Sequence, residues 1–280
     1  MRPNRRATMT AAAAFVLAGA APAAPRRVVS LNPCLDAMLV AVADPGQIAA
    51  LSHYSRDMPS SSVGAAALQY PYAYESAEEV MSFTPDLVLA SWQGSASTRR
   101  ALQRLGIRVE LFTTPDTIEE SLQQMLRIAA AVGRSDRGGA RVSAIRQTLS
   151  RSAPPPGGRQ VRALLFQRDG FTTGPHTLMD ELMTLTGFHN VAVDYGLKRS
   201  ANLPLELLMA NPPEVLLQGE LTAGAPGWGE RVMRHPALSR IAGRMRVVTF
   251  PERLMYCGGP NLARSAPLLA DAWRRIAGST

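Results

Sequence analysis

Chemistry in this 280-residue chain can come from two cysteines, four histidines and a few aromatic residues placed just after strand-like runs. Met255-Tyr256-Cys257-Gly258-Gly259-Pro260 follows the apolar run Arg246–Phe250, and its paired glycines permit close backbone approach. Cys34 follows the similar run Arg27–Leu31 at the start of a helical pattern. Three readings of the two thiols stay open: soft metal ligands, a disulfide, or small buried hydrophobes. Tyr54 and Trp92 also follow strand ends, where their rings can stack on a planar ligand, and Phe171 follows the first strand of the second half. Arg56, Asp57 and Arg253 can pair with polar groups of a ligand or with one another. Tyr70, Tyr72 and Tyr74 cluster around Pro71 in what reads as an irregular loop, offering a tyrosinate or merely surface. The histidines (His53, His176, His189, His235) are scattered, whereas a bare-metal site needs three or four convergent ligands. Only His53 falls beside the aromatic candidates, so no resident metal or cofactor is expected. No nucleophile elbow, phosphate loop or zinc-protease helix is present, so no catalytic residue is assigned and an enzyme is not expected.

The elements that must position these residues alternate. Strand-like runs at Arg27–Leu31, Ile48–Leu51, Asp86–Ala90 and Arg108–Phe112 are separated by helical patterns, one ending at Gly106. The second half repeats the plan with strands at Val161–Phe166, Glu214–Leu217 and Arg246–Phe250. Ala77–Leu89 and Leu205–Leu217 match most closely: an acid-started short helix, a Pro break, then a buried strand. Between the halves, apolar residues at helical spacing run from Ile118 to Val132 and again from Arg137 to Ser152, stopped by Pro154-Pro155-Pro156. The pattern predicts α/β architecture with two related lobes, each a mainly parallel sheet flanked by helices, and one linker helix between them.

Composition sets the compartment. Arg2, Arg5 and Arg6, an apolar stretch from Met9 to Ala21 and Ala21-Pro22-Ala23 have the layout expected of a secretory leader over 1–23. No Cys near its end marks a lipid anchor, and a soluble exported protein is expected. The net charge of +8, less the leader's three Arg, leaves +5 with no basic tract interleaved with aromatics, so nucleic acid is not an expected partner.

These residues resemble the helical-backbone class of periplasmic solute-binding proteins of ABC importers, which bind cobalamin, ferric siderophores or haem. The resemblance covers nearly all of the chain after the leader. It rests on Arg27-Val28-Val29-Ser30-Leu31-Asn32-Pro33, on the doubled helix–Pro–strand unit, on Leu105–Val109 and on Thr186–Val191. It is similar above all to the cobalamin binders: Tyr54 and Trp92 fall where those carry a cleft Tyr and a cleft Trp. The resemblance implies lobes at 24–133 and 154–280, a linker helix at 134–153 and a ligand cleft between the lobes. A corrinoid is the implied ligand, with a ferric siderophore or haem as the alternative. Direct Zn or Mn binding comes third, since His-rich loops are missing. The resemblance implies Tyr54, Trp92 and Phe171 as ligand contacts; Cys34, His53, Arg253, Tyr256 and Cys257 are candidates on the reading of the residues above. The implied partner is an inner-membrane ABC permease with its ATPase, engaged by one exposed acid per lobe of a monomer. Glu78 and Glu206 match that role, and Glu75 and Glu79 are near enough to substitute. The chain departs from characterised cobalamin binders at Met255–Pro260, where those carry charged residues.

Overall fold

The computed structural model describes residues 23–58, 61–167, 170–219 and 242–278; the expected leader lies outside them except for Ala23, as does His235. The first lobe contains β1 (Val28–Ser30), α1 (Pro33–Val42), β2 (Ile48–Ser52), β3 (Tyr72–Ala73), α2 (Ala77–Ser82), β4 (Leu87–Ser91), α3 (Ala96–Arg104) and β5 (Arg108–Phe112). Its sheet is parallel throughout, in the order β3-β2-β1-β4-β5. The central strands are apolar and buried along their whole length, as sheets covered on both faces require.

Two helices, α4 (Ile118–Ala131) and α5 (Ser135–Ser152), carry the chain to the second sheet. A capping box of Thr117 and Glu120 starts α4, and Gly133, at φ 70°, turns the chain into α5. The second lobe holds β6 (Val161–Phe166), β7 (Phe171–Thr172), α6 (Leu178–Leu185), β8 (Phe188–Asn190), β9 (Ala201–Asn202), α7 (Leu205–Ala210), β10 (Val215–Gln218), β11 (Arg246–Thr249) and α8 (Leu262–Ala277). Its sheet, β11-β10-β6-β7-β9 with β8 also on β6, is mixed because β7 runs antiparallel to both its neighbours, β6 and β9.

One reading changes. The Tyr70–Tyr74 stretch is not wholly irregular: Tyr72 and Ala73 form β3, paired with Leu51 and Ser52. Phe171 follows β6, in the two-residue strand β7. Two-residue strands are too short to show a period-two pattern in sequence.

The repeated unit folds twice by one device. Before β4, the Asp86 carboxylate accepts the N–H groups of Arg26 (2.7 Å) and Arg27 (3.0 Å) beside β1. Before β10, the Glu214 carboxylate accepts the N–H of Arg162 (3.0 Å) in β6. Each acid after its proline ties the entering strand to its neighbour.

The lobes share one apolar core. It runs from Leu39 and Leu87 through Ile145 and Leu149 of α5 to Leu165, Leu217 and Trp273. Asp44, after α1, is bridged by Arg134 and Arg137 at the start of α5. These hydrogen bonds hold its carboxyl down at about 2. The connection is therefore packed and pinned, not a hinge of a few free residues.

Candidate ligand-binding site

Cys34 and Cys257 are joined in a disulfide, with Cα atoms 5.0 Å apart. It ties the N-terminus of α1 to the segment that leaves β11. That segment crosses back onto first-lobe elements. Gly259 N–H donates to Ser121 Oγ (2.7 Å) on α4, Ser62 Oγ donates to the Arg253 carbonyl (3.5 Å), and Arg264 donates to the Ser62 carbonyl (3.4 Å). The two glycines are required by contact: a Cβ on Gly258 would lie 2.0 Å from Ser121 Oγ, and one on Gly259 (φ 59°) 2.8 Å from Met38. We call residues 253–264 the strap.

Between the strap and the carboxyl ends of β1, β4 and β5 lies a cavity of about 300 Å³. This is where open α/β sheets hold ligands. Its apolar floor includes Met38, Phe112 and Met255; its polar wall includes Asn32, Ser91, Thr114, Gln124, Gln167 and Thr173. Asp116 and Tyr256 are the only ionisable side chains among the described lining residues. Asn32 is fixed as the N-cap of α1, accepting the N–H groups of Cys34 and Leu35.

Of the sequence candidates, Cys34, Phe171 and Tyr256 line the cavity. Tyr256 donates its hydroxyl to Glu252 (2.6 Å). Cys257 is buried behind the wall, and neither cysteine is a free thiolate. Trp92 follows the lining residue Ser91 but does not itself line the cavity; it is 61% exposed, with its backbone N–H on the Phe112 carbonyl (2.9 Å) and the Arg99 guanidinium 5.6 Å from its ring centre. The buried Arg99 also donates to the carbonyls of Ser91 (3.0 Å) and Gly94 (2.5 Å), fixing this turn. Tyr54 and His53 lie one strand further out, after β2, and Arg253 lies in the strap. Glu78 and Glu206 are exposed in the first turns of α2 and α7. Glu75 instead accepts the Ser95 N–H (2.9 Å) behind Trp92. Among the described residues, no three His, Cys, Asp or Glu gather as a metal site would require.

Sequence reasoning missed the polar wall and also Asp36, on α1 and fully buried. The Asp36 carboxyl accepts the N–H (3.1 and 3.2 Å) and the hydroxyl (2.5 Å) of Ser52, the residue before His53 and Tyr54. Burial pushes it up to about 7 against the pull of these bonds.

The sequence pattern of the periplasmic binding protein family matches residues 28–245. The chain belongs to that family. Among curated relatives of this periplasmic binding protein, a cobalamin-binding protein of Halobacterium salinarum is 25% identical over 70% of the chain, which spans about half, 54%, of that relative. A vitamin B12-binding protein of Photorhabdus laumondii is 25% identical over 89% of the chain and 88% of its own length. The fold is shared with a periplasmic haem-binding protein from Pseudomonas aeruginosa (TM-score 0.74, 20% identity, 91% of this chain and 94% of that one). It is shared too with the periplasmic vitamin B12-binding protein of Vibrio cholerae (TM-score 0.67, 17% identity, 91% and 99%). The family is one of substrate-binding proteins rather than a class of enzymes. Among the described residues no helix is long and apolar enough to cross a membrane.

Proposed function

We propose that this periplasmic binding protein captures a corrinoid, cobalamin or a close relative, and delivers it to an ABC permease and its ATPase in the inner membrane. The observation that carries this is the polar wall of the cavity, which among the described residues offers hydroxyls, carboxamides and one carboxylate, Asp116, and no cation. A corrinoid presents an apolar macrocycle rimmed with amides, which hydroxyl and carboxamide side chains can satisfy pairwise. Haem presents carboxylates and a ferric catecholate carries net negative charge, so each calls for cations where this wall offers Asn, Gln, Ser and Thr. Curated relatives named for cobalamin and vitamin B12 support the same ligand.

In this account the leader exports a soluble monomer, and the lobes are 24–133 and 154–280 with the linker helix at 134–153. Tyr54, Trp92, Phe171 and Tyr256 contact the ligand. Glu78 and Glu206 dock onto basic pockets of the permease, where charge pairs set approach and register more than affinity. Equilibrium dialysis of the purified protein against cyanocobalamin, hemin and a ferric catecholate tests the ligand. Saturable cyanocobalamin binding at micromolar levels or below is expected. Binding of hemin or the ferric complex in its place would overturn the corrinoid assignment and leave the binding-protein class standing.

A further inference from the structure

One and two strands out from the cavity, at the ends of β2 and β3, the first lobe carries an aromatic surface that does not line the cavity. The His53 ring lies 3.9 Å from the Tyr54 ring and stacks on Tyr74 at 4.6 Å; Tyr72 meets Tyr74 edge-on at 5.9 Å. Arg56 sits over the Tyr72 ring at 5.1 Å. Tyr54, Tyr72 and Tyr74 remain 49%, 41% and 53% exposed. Such a concentration of exposed rings marks a binding surface, since large apolar side chains are normally scattered singly.

The loop beneath is costly. His53 Nδ1, Ser55 Oγ and Arg56 Nε are buried without hydrogen-bond partners among the described residues. Ring stacking, together with the bond from Arg56 to the Tyr70 carbonyl, holds this turn in place of a satisfied polar network. Buried polar atoms left unpaired are uncommon in folded proteins and concentrate where function requires the arrangement.

Strand order places the surface relative to the cavity. From β5 to β3 the carboxyl ends bring Phe112, then Ser91 and Trp92, then Asn32, then Tyr54, then Tyr74. With neighbouring strands roughly 4.8 Å apart, the tyrosines lie about 5–10 Å beyond the cavity edge at β1. The cavity itself, at about 300 Å³, is at the low end of ligand pockets, and a corrinoid must rest partly outside it.

On the corrinoid reading above, we propose that Tyr72, Tyr74, His53 and Arg56 form a second part of the binding site that takes the aromatic base of the corrinoid's nucleotide tail. The exposed rings supply a stacking face that accepts any planar base. Arg56 adds positive charge beside it, suited to the phosphate of that tail.

Calorimetric titration with cyanocobalamin and with dicyanocobinamide, which lacks the nucleotide tail, tests this. The wild-type protein is expected to bind cyanocobalamin about tenfold more tightly, the size of one aromatic stack. In the double variant Tyr72→Ala with Tyr74→Ala the two affinities converge, with cobinamide binding changed less than about twofold. The variant Tyr72→Phe with Tyr74→Phe keeps the rings and keeps the preference. An unchanged preference in the alanine variant, or equal losses for both ligands, overturns the proposal. So does an unchanged preference with lost permease-dependent uptake, which assigns the surface to the permease. Failure of both corrinoids to bind instead overturns the corrinoid reading, and this proposal with it.

Discussion

Breaking the Cys34–Cys257 bridge tests how the cleft is held. Reduction, or Cys34→Ser with Cys257→Ser, removes a cross-link spanning 223 residues. For a loop of that length the chain-entropy estimate is about 5 kcal/mol, at the upper edge of the roughly 2–5 kcal/mol found when native disulfides are removed. At roughly 2–4 °C per kcal/mol for a chain of this size, the melting temperature is expected to fall by about 10–20 °C. The core shared through α5 and α8 does not depend on the bridge, so the protein stays folded at 25 °C. Ligand affinity falls nevertheless, because Met255, Tyr256 and Gly258 line the cavity from the strap that the bridge anchors. Thermal circular dichroism and ligand titration, with and without reductant and with thiols counted, read both effects. A melting shift under about 3 °C after full reduction would refute the stabilisation argument. Unchanged affinity in the reduced, folded protein would refute the strap's part in shaping the cavity.

Other consequences are as direct. Trp92→Ala is expected to weaken corrinoid binding about tenfold through lost ring contact, with little change in melting because the indole is mostly exposed; equal affinities would remove Trp92 from the site. Glu78→Lys with Glu206→Lys should abolish permease-dependent uptake in reconstituted vesicles while leaving ligand affinity intact, and normal uptake would reject the docking role. Asp36 holds its proton up to about 7 in the folded protein, whereas unfolding returns it to the ordinary carboxylate range near 4. Between those values the folded state binds more protons, so its stability falls as pH rises from about 4 to 7. Urea unfolding of Asp36→Asn at pH 5 and pH 8 should show a smaller difference than wild type; an identical difference would contradict the linkage.

The sequence alone determined the two-lobed plan. Buried strands such as Leu87–Ser91 and Val161–Phe166 announce themselves as apolar runs, and the short acid-started helices before Pro85 and Pro213 announce the repeat. Local chemistry sufficed there, because burial on both faces and proline breaks act within a few residues. Cys34, Phe171 and Tyr256 were also legible as candidates, being unusual residues next to strand ends. The pairing of Cys34 with Cys257 was not, since nothing local relates positions 223 residues apart. Nor were the short edge strand at Tyr72, the buried Asp36 or the polar wall of Asn32, Gln124, Gln167 and Thr173. Those side chains come from separate elements and are individually unremarkable. Only packing, which folds the strap back across the first lobe, gathers them around one cavity and decides what chemistry it presents.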